Sequence, residues 1–371
     1  MQQSHKHHYV PEWYQRRFML KGQTAYYRLD LSPKCIKIPS GKVVKKGEIL
    51  CKGPKKFFYE IDLYTTRYFD IENDEIEKHL FGKIDAEGAE AISAMASPNW
   101  MREIHPHIIN YYEYLDAQRL RTPKGLAWLI KLLKPQSYNE LLFKMQDIRR
   151  LHCTMWAEAS MEIVSAEKSD IKFIVSDNPV TLYNSAFYPA NKLCEFPSDP
   201  GIELKGTRTI FPLDLNYCAV LTNIEYARSP GKFKASKPRT NPRYFDQTII
   251  KYDDIIRERV LNEQQVLAVN YILKSRAQRY IAAAEVDWLY PEKCLKKKDW
   301  SKLDKVFISK SIKLLGRDGE IFIGGKDGKL LATQDEFGRK PKSKKEWEEK
   351  EKQAQAMREH VMKLLSKEKE I

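Results

Sequence analysis

A chain that carries Ser4-His5-Lys6-His7-His8-Tyr9-Val10-Pro11-Glu12-Trp13-Tyr14-Gln15-Arg16-Arg17-Phe18 near its start cannot leave that end in solvent. Tyr9, Trp13, Tyr14 and Phe18 are large rings of the kind solvated tails lack, so the stretch must dock into the body of the fold. It takes His5, His7 and His8 with it, side chains that titrate near neutrality, together with Lys6, Arg16 and Arg17. The sequence therefore places a functional site where the opening docks.

The 371 residues are 42% hydrophobic and 11% aromatic, enough for a large core in one big domain or two modest ones. No apolar run reaches the roughly eighteen residues of a membrane span, and none follows the first basic residues as in a signal peptide, so a cytoplasmic protein without membrane contact is expected. The six cysteines stand singly with no Cys-x-x-Cys pair, as reduced thiols do. A net charge of +14 favours a polyanion partner, chiefly nucleic acid, or serves solubility alone.

The fold class expected is α+β, with a mixed or antiparallel sheet, a helical middle, a small β appendage and a charged C-terminal helix. Residues 1–290 form the main domain, 291–340 the appendage and 341–371 the tail. Alternation over Ala25 to Ile38 around Ser32-Pro33 predicts a hairpin, with further strands at Lys42 to Leu50 and Phe57 to Tyr64 in the same sheet. Asp74 with Glu77 opens a helix that stops by Ser97-Pro98. Helices follow over Pro106 to Leu120, Lys124 to Leu133 and Tyr138 to Val164.

The period then changes. Lys172 to Ser176 is a β-branched and aromatic run closed by Asp177-Asn178-Pro179, and Thr209 to Leu213 and Cys218 to Leu221 predict two more strands. Asn262 with Gln265 caps a helix to about Ala284, on whose inner face Asn270 is an amide that needs partners or a polar pocket. The Lys/Glu/Gln-rich end beyond Pro341 has too few apolar positions for a long coiled coil, and either frames a homo-oligomer contact or stays solvated.

No phosphate-binding Gly-rich loop, nucleophile elbow, zinc-protease helix or dinucleotide fingerprint is present. The remaining candidates are spread along the chain. His7 and His8 can act as acid, base or metal ligand. Asp177 can orient a histidine or hold a cation such as magnesium, though no cofactor is specified. Arg16 can stabilise a phosphoryl anion. Each also has a packing role open to it: Asp177 can cap its own turn with His8 beneath it. His152, on an apolar helix stripe, is set aside as a hydrogen-bonded core residue. The basic loop with Lys232, Lys234, Lys237, Arg239 and Arg243 can grip a phosphate backbone or remain solvated.

His8-Tyr9-Val10-Pro11, Tyr14-Gln15-Arg16-Arg17-Phe18, Gln118 with Arg121, Phe173-Ile174-Val175-Ser176-Asp177-Asn178-Pro179-Val180 and Phe211-Pro212-Leu213 resemble, in that order, the bacterial family catalogued as domain of unknown function four-two-three-eight. The likeness spans about residues 5 to 285. It implies a stand-alone bacterial protein with some relatives among antiphage defence genes, and points to His8, Tyr9, Arg16, Phe18, Gln118, Arg121, Ser176, Asp177, Asn178 and Asn270. Gln15 stands where an aliphatic residue is usual, and Asp214-Leu215 where Ser-Pro is common. The family brings no settled reaction. A nuclease-like effector acting on RNA or DNA is the first expectation, with Arg121 joining Arg16 at phosphate; a non-catalytic sensor of nucleic acid or of a phage component is the second.

Overall fold

The computed structural model describes residues 5–37, 43–68, 71–73, 80–228, 233–239, 255–257, 259–307, 320–325, 327–335 and 339–368. The architecture is α+β. A five-stranded mixed sheet runs in the order Thr181–Tyr183, Arg208–Pro212, Tyr217–Asn223, Ala159–Ser165, Ile255–Ile256, its last pair parallel. Every residue of Ala159–Ser165 and of Arg208–Pro212 is buried, so both faces of these strands are covered and no inside-outside alternation survives in their sequences. A four-stranded antiparallel sheet runs Val175–Ser176, Tyr280–Ala283, Tyr26–Asp30, Ile49–Lys52, and so joins the early chain to residues some 250 positions later.

The opening docks as its rings require. Lys6–His8 pairs antiparallel with Tyr59–Ile61, and the short helix Glu12–Arg16 follows. Tyr14 is fully buried; its ring stacks on Phe211 at 5.4 Å and its hydroxyl donates to the Pro212 carbonyl. Gln15, also buried, is accommodated because its amide donates to Val10 O at 2.7 Å and accepts from the Tyr26 hydroxyl at 2.6 Å. Asp214 pairs with Arg17 and accepts from the backbone of Asn216 and Tyr217.

Helix Gly82–Ala96 packs on Ile108–Leu120 through Gly88. A Cβ at Gly88 would lie 2.2 Å from Cδ2 of Tyr114, whose ring is fully buried. Alanine gains up to about 1 kcal/mol of helix propensity over glycine. Overpacking a rigid ring costs more, and Gly88→Ala is expected to lower stability by about 1–3 kcal/mol in a urea titration; a stabilised variant would show that the two helices separate freely.

Several expected elements differ. The Tyr26–Asp30 and Lys34–Lys37 strands form but do not pair with each other; the latter pairs with Val43–Lys46. The Phe57 to Tyr64 strand is Tyr59–Ile61 and joins the opening strand rather than the larger sheet. The stretch Tyr138 to Val164 is helical over Tyr138–Asp147 and again, briefly, over Cys153–Ala157, and Ala159–Ser165 is a central strand. Here Arg150 takes a left-handed φ of 68°, and the Asp116 carboxylate accepts from the backbone N–H of Arg150 at 2.7 Å and of His152 at 3.3 Å. The Asn262 helix has its capping box but ends at Arg276, and Tyr280–Ala283 is a strand. The start predicted at Asp74 lies outside the described residues.

Toward the C-terminus, residues Trp300–Phe307 form a 3₁₀ helix on the main body: Tyr183 Oη donates to Trp300 O at 2.7 Å, and Trp300 Nε1 to Asn184 O at 2.9 Å. The chain is therefore anchored beyond residue 290. The hairpin Ile321–Gly324 with Leu330–Gln334 and the helix Lys344–Glu368 complete the described chain. Among the described residues no helix is long and apolar enough to cross a membrane.

Candidate functional site

The docked opening distributes its histidines by strand alternation. His7 points inward, fully buried and stacked on Tyr64 at 5.5 Å, where its Nδ1 accepts the Tyr64 backbone N–H at 2.9 Å. A nitrogen that accepts an amide proton is not itself protonated, so His7 is tied to the fold in a fixed tautomer. His8 is half-buried, 3.9 Å from the Glu12 carboxylate, and its Nε2 is shielded from solvent with no hydrogen-bond partner. Burial holds its pKa below the ordinary histidine value despite Glu12. Arg16 is exposed and lies 3.5 Å from the other oxygen of Glu12.

The Ser176-Asp177-Asn178-Pro179 turn is internal. Asp177 is 3% exposed, and its carboxylate accepts three consecutive backbone N–H groups: Gln278 at 2.9 Å, Arg279 at 2.7 Å and Tyr280 at 2.8 Å. Burial raises its pKa and those three donors oppose the rise. With both oxygens so occupied, Asp177 fixes the reversal from helix to strand after Arg276, and it does not orient His8. Ser176 Oγ accepts the Asn178 N–H at 3.2 Å within the turn. Asn270, fully buried, accepts from Ile174 N–H and donates to Lys172 O at 2.8 Å, which locks the segment before the turn.

Gln118 and Arg121 hold the opening from below. Gln118 donates to Tyr9 O at 2.8 Å and accepts from Arg121, whose guanidinium also meets Asp85 at 2.8 Å. Arg121 is 1% exposed, so it does not reach a nucleic-acid backbone as its charge had suggested. Arg239 is likewise withdrawn, 3.5 Å from the buried Glu158 carboxylate and donating to Met155 O at 3.0 Å. Lys234 and Lys237 are exposed; Lys232 and Arg243 lie outside the described residues. Phe18 is core. The opening does reach the turn, through Tyr9 rather than His8: the Tyr9 phenol senses the Asp177 charge, while the charged neighbours of His8 are Glu12, Lys6 and His7.

A different set of residues converges behind the turn. A small hollow with about 10 Å³ of space, room for about one water-sized group, is lined by Arg119, Lys124, Gly125, Trp128, Asn178 and Asp199. Asn178 Nδ2 and Arg119 Nη1 are buried donors without a hydrogen-bond partner among the described residues. Lys124, 7% exposed, donates to Asp199 at 2.8 Å and to Arg276 O at 2.9 Å. The Arg119 guanidinium lies 5.3 Å from the Trp128 ring, and burial lowers its pKa against the pull of Asp199, Asp116 and Glu203. An orphaned buried donor costs about 1–3 kcal/mol, so two facing one hollow describe a place shaped for an acceptor oxygen.

Trp128 also packs on His152 at 6.1 Å between centroids, and His152 Nδ1 lies 2.8 Å from the Asp116 carboxylate. The Asp116 carboxylate, accepting two backbone N–H groups as well, takes the Nδ1–H in the neutral tautomer, which leaves Nε2 as a lone-pair acceptor. Burial first and Arg119 next lower the His152 pKa, opposed by Asp116.

Arg119, Lys124 and the His152–Asp116 pair were not singled out from the sequence as site residues. One signal was available: Asp116 lies between Tyr112 and Leu120, each four positions away on the same helix, and a carboxylate held between such residues needs an internal partner. Among the described residues no group of three or more His, Cys, Asp or Glu side chains is arranged to hold a metal ion. No family model, curated protein or solved structure matches this chain.

Proposed function

We propose that the chain cleaves phosphodiester bonds in RNA or DNA, with the hollow behind the Asp177-Asn178 turn as the place that receives a phosphoryl oxygen. The observation that carries this is the pair of buried, unpartnered donors on one small hollow, Arg119 Nη1 and Asn178 Nδ2. Lys124 stands at its wall, its ammonium paired with Asp199. Donors already aimed where negative charge develops stabilise a transition state without reorganising. His152 Nε2 takes a proton from the attacking water, or from the 2′-hydroxyl of RNA, as the new P–O bond forms. The imidazolium, stabilised by Asp116, then returns that proton to the leaving oxygen as the old P–O bond breaks. The net charge of +14 and the resemblance to a family with defence-associated members support an antiphage effector.

Purified protein incubated with labelled RNA and DNA, with and without magnesium, is expected to cut one of them. Arg119→Gln is expected to slow cutting by about 10²–10³ with the fold retained. No cutting of either polymer under both conditions, or an Arg119→Gln protein as fast as the wild type, rejects the proposal. The exposed Lys234 and Lys237 favour a second reading, a sensor that binds nucleic acid or a phage component without cutting it. In that case Lys234→Ala weakens binding and flattens its salt dependence, while Arg119→Gln changes neither.

A further inference from the structure

On the four-stranded sheet, Arg28 sits opposite Leu50 on one neighbouring strand and Ala282 on the other. Its guanidinium lies between two rings, 4.9 Å from the Phe57 centroid and 4.2 Å from that of Tyr280. Two rings fix the plane of the fork, as a stacked arginine is fixed before it binds. Its hydrogen bonds are unmet. Nε is buried with no partner, and among the described residues no carboxylate pairs with Arg28. The acid two positions on, Asp30, is claimed by Arg279, whose Nε and Nη2 meet its two oxygens at 3.1 and 2.9 Å. Asp177 is likewise filled by backbone donors.

Tyr280, half-buried, lays its ring against the guanidinium. Glu60 is exposed. Lys52, on the strand next to Arg28, and Lys55 and Lys56, in the turn before Phe57, are exposed and basic.

We propose that Arg28, held between Phe57 and Tyr280, is a phosphate-binding site separate from the hollow behind the turn. A guanidinium fork takes two oxygens of a phosphate. The phosphate comes either from a nucleic-acid strand, with Lys52, Lys55 and Lys56 along the neighbouring backbone, or from a free mononucleotide. The site does not depend on cleavage at the hollow.

The test uses the full chain and three probes: a fluorescent single-stranded RNA 20-mer, the matching DNA, and AMP. Wild-type protein is expected to bind at least one. Arg28→Gln is expected to weaken that binding tenfold or more, and for an oligonucleotide to lower the slope of log affinity against log salt by about 0.7, the value of one phosphate contact on a single strand. Arg28→Lys, which keeps the charge but loses the fork, is expected to fall between, with far-UV circular dichroism and Tm near wild type; it carries the result if Arg28→Gln fails to fold. Loss for the 20-mers alone identifies the strand as ligand, and loss for AMP as well identifies the single phosphate. Binding of a probe by the wild type that is lost in the Arg28 variants upholds this site even where neither polymer is cut, so failure at the hollow is distinguishable from failure here. Wild-type protein that binds no probe, or a folded Arg28 variant with wild-type affinity for every probe, overturns the proposal.

Discussion

Asp177→Ala is expected to destabilise the fold by about 3–5 kcal/mol, enough to shift a urea midpoint by more than a molar unit or to leave little soluble protein. The side chain accepts from the N–H groups of Gln278, Arg279 and Tyr280, all within 2.9 Å. Truncation strands three donors where water has little access. Asp177→Asn is expected to cost less, about 2 kcal/mol, because an amide keeps one acceptor oxygen but sets its NH₂ against a backbone donor. The alternative assigned to this residue from sequence, a carboxylate serving His8 or a cation, makes the opposite forecast: activity lost, stability kept. A variant with the wild-type urea midpoint and no activity returns Asp177 to the chemistry.

The second large effect concerns His152. If its Nε2 is the proton acceptor, cleavage requires the neutral imidazole, so the rate rises from acid to a plateau. The midpoint lies below the ordinary histidine value of about 6.5, because burial and Arg119 both disfavour the charged ring. The groups bearing on it are Asp116 and Arg119 from one helix and Glu203 from the loop before the Arg208–Pro212 strand. His152→Gln, which can still donate to Asp116, is expected to lose about 10²-fold or more in rate and the acid limb with it.

The same depressed pKa has a stability consequence. At acid pH the unfolded chain binds a proton that the folded site resists, so this contribution is complete above about pH 6.5 and is lost as the pH falls through the folded-state value. Thermal stability followed from pH 8 to 5 should therefore decline in the wild type. The decline should be smaller in His152→Gln. A variant that keeps the acid limb of its rate profile shows that another group transfers the proton.

The docking of the opening was legible because four rings in fifteen residues admit few other fates, and Tyr14 on Phe211 bears it out. The capping box at Asn262 and Gln265 was legible too, being a contact between residues three apart. The expected site was another matter. Its members were chosen as reactive types near turns, yet Asp177, Asn270 and Arg121 are buried with their polar atoms engaged, while of the two orphaned donors at the hollow the sequence named Asn178 and missed Arg119. An arginine's availability is set by the acids that fold against it, and its neighbours in sequence do not report those.

Local chemistry, acting over spans of a few residues, determined where strands, helices and caps begin, and that the N-terminal rings lie inside. Tertiary structure alone decided where two long helical patterns stop. At Asp147 and at Arg276 the helix is followed by a turn whose backbone donors are taken by Asp116 and Asp177, carboxylates 34 and about 100 positions away. Periodicity continues through both points, because the apolar spacing that suits a helix also fills a strand buried on both faces. A buried charge able to satisfy two or three amide protons at once outweighs the few tenths of a kcal/mol per residue that local propensity supplies.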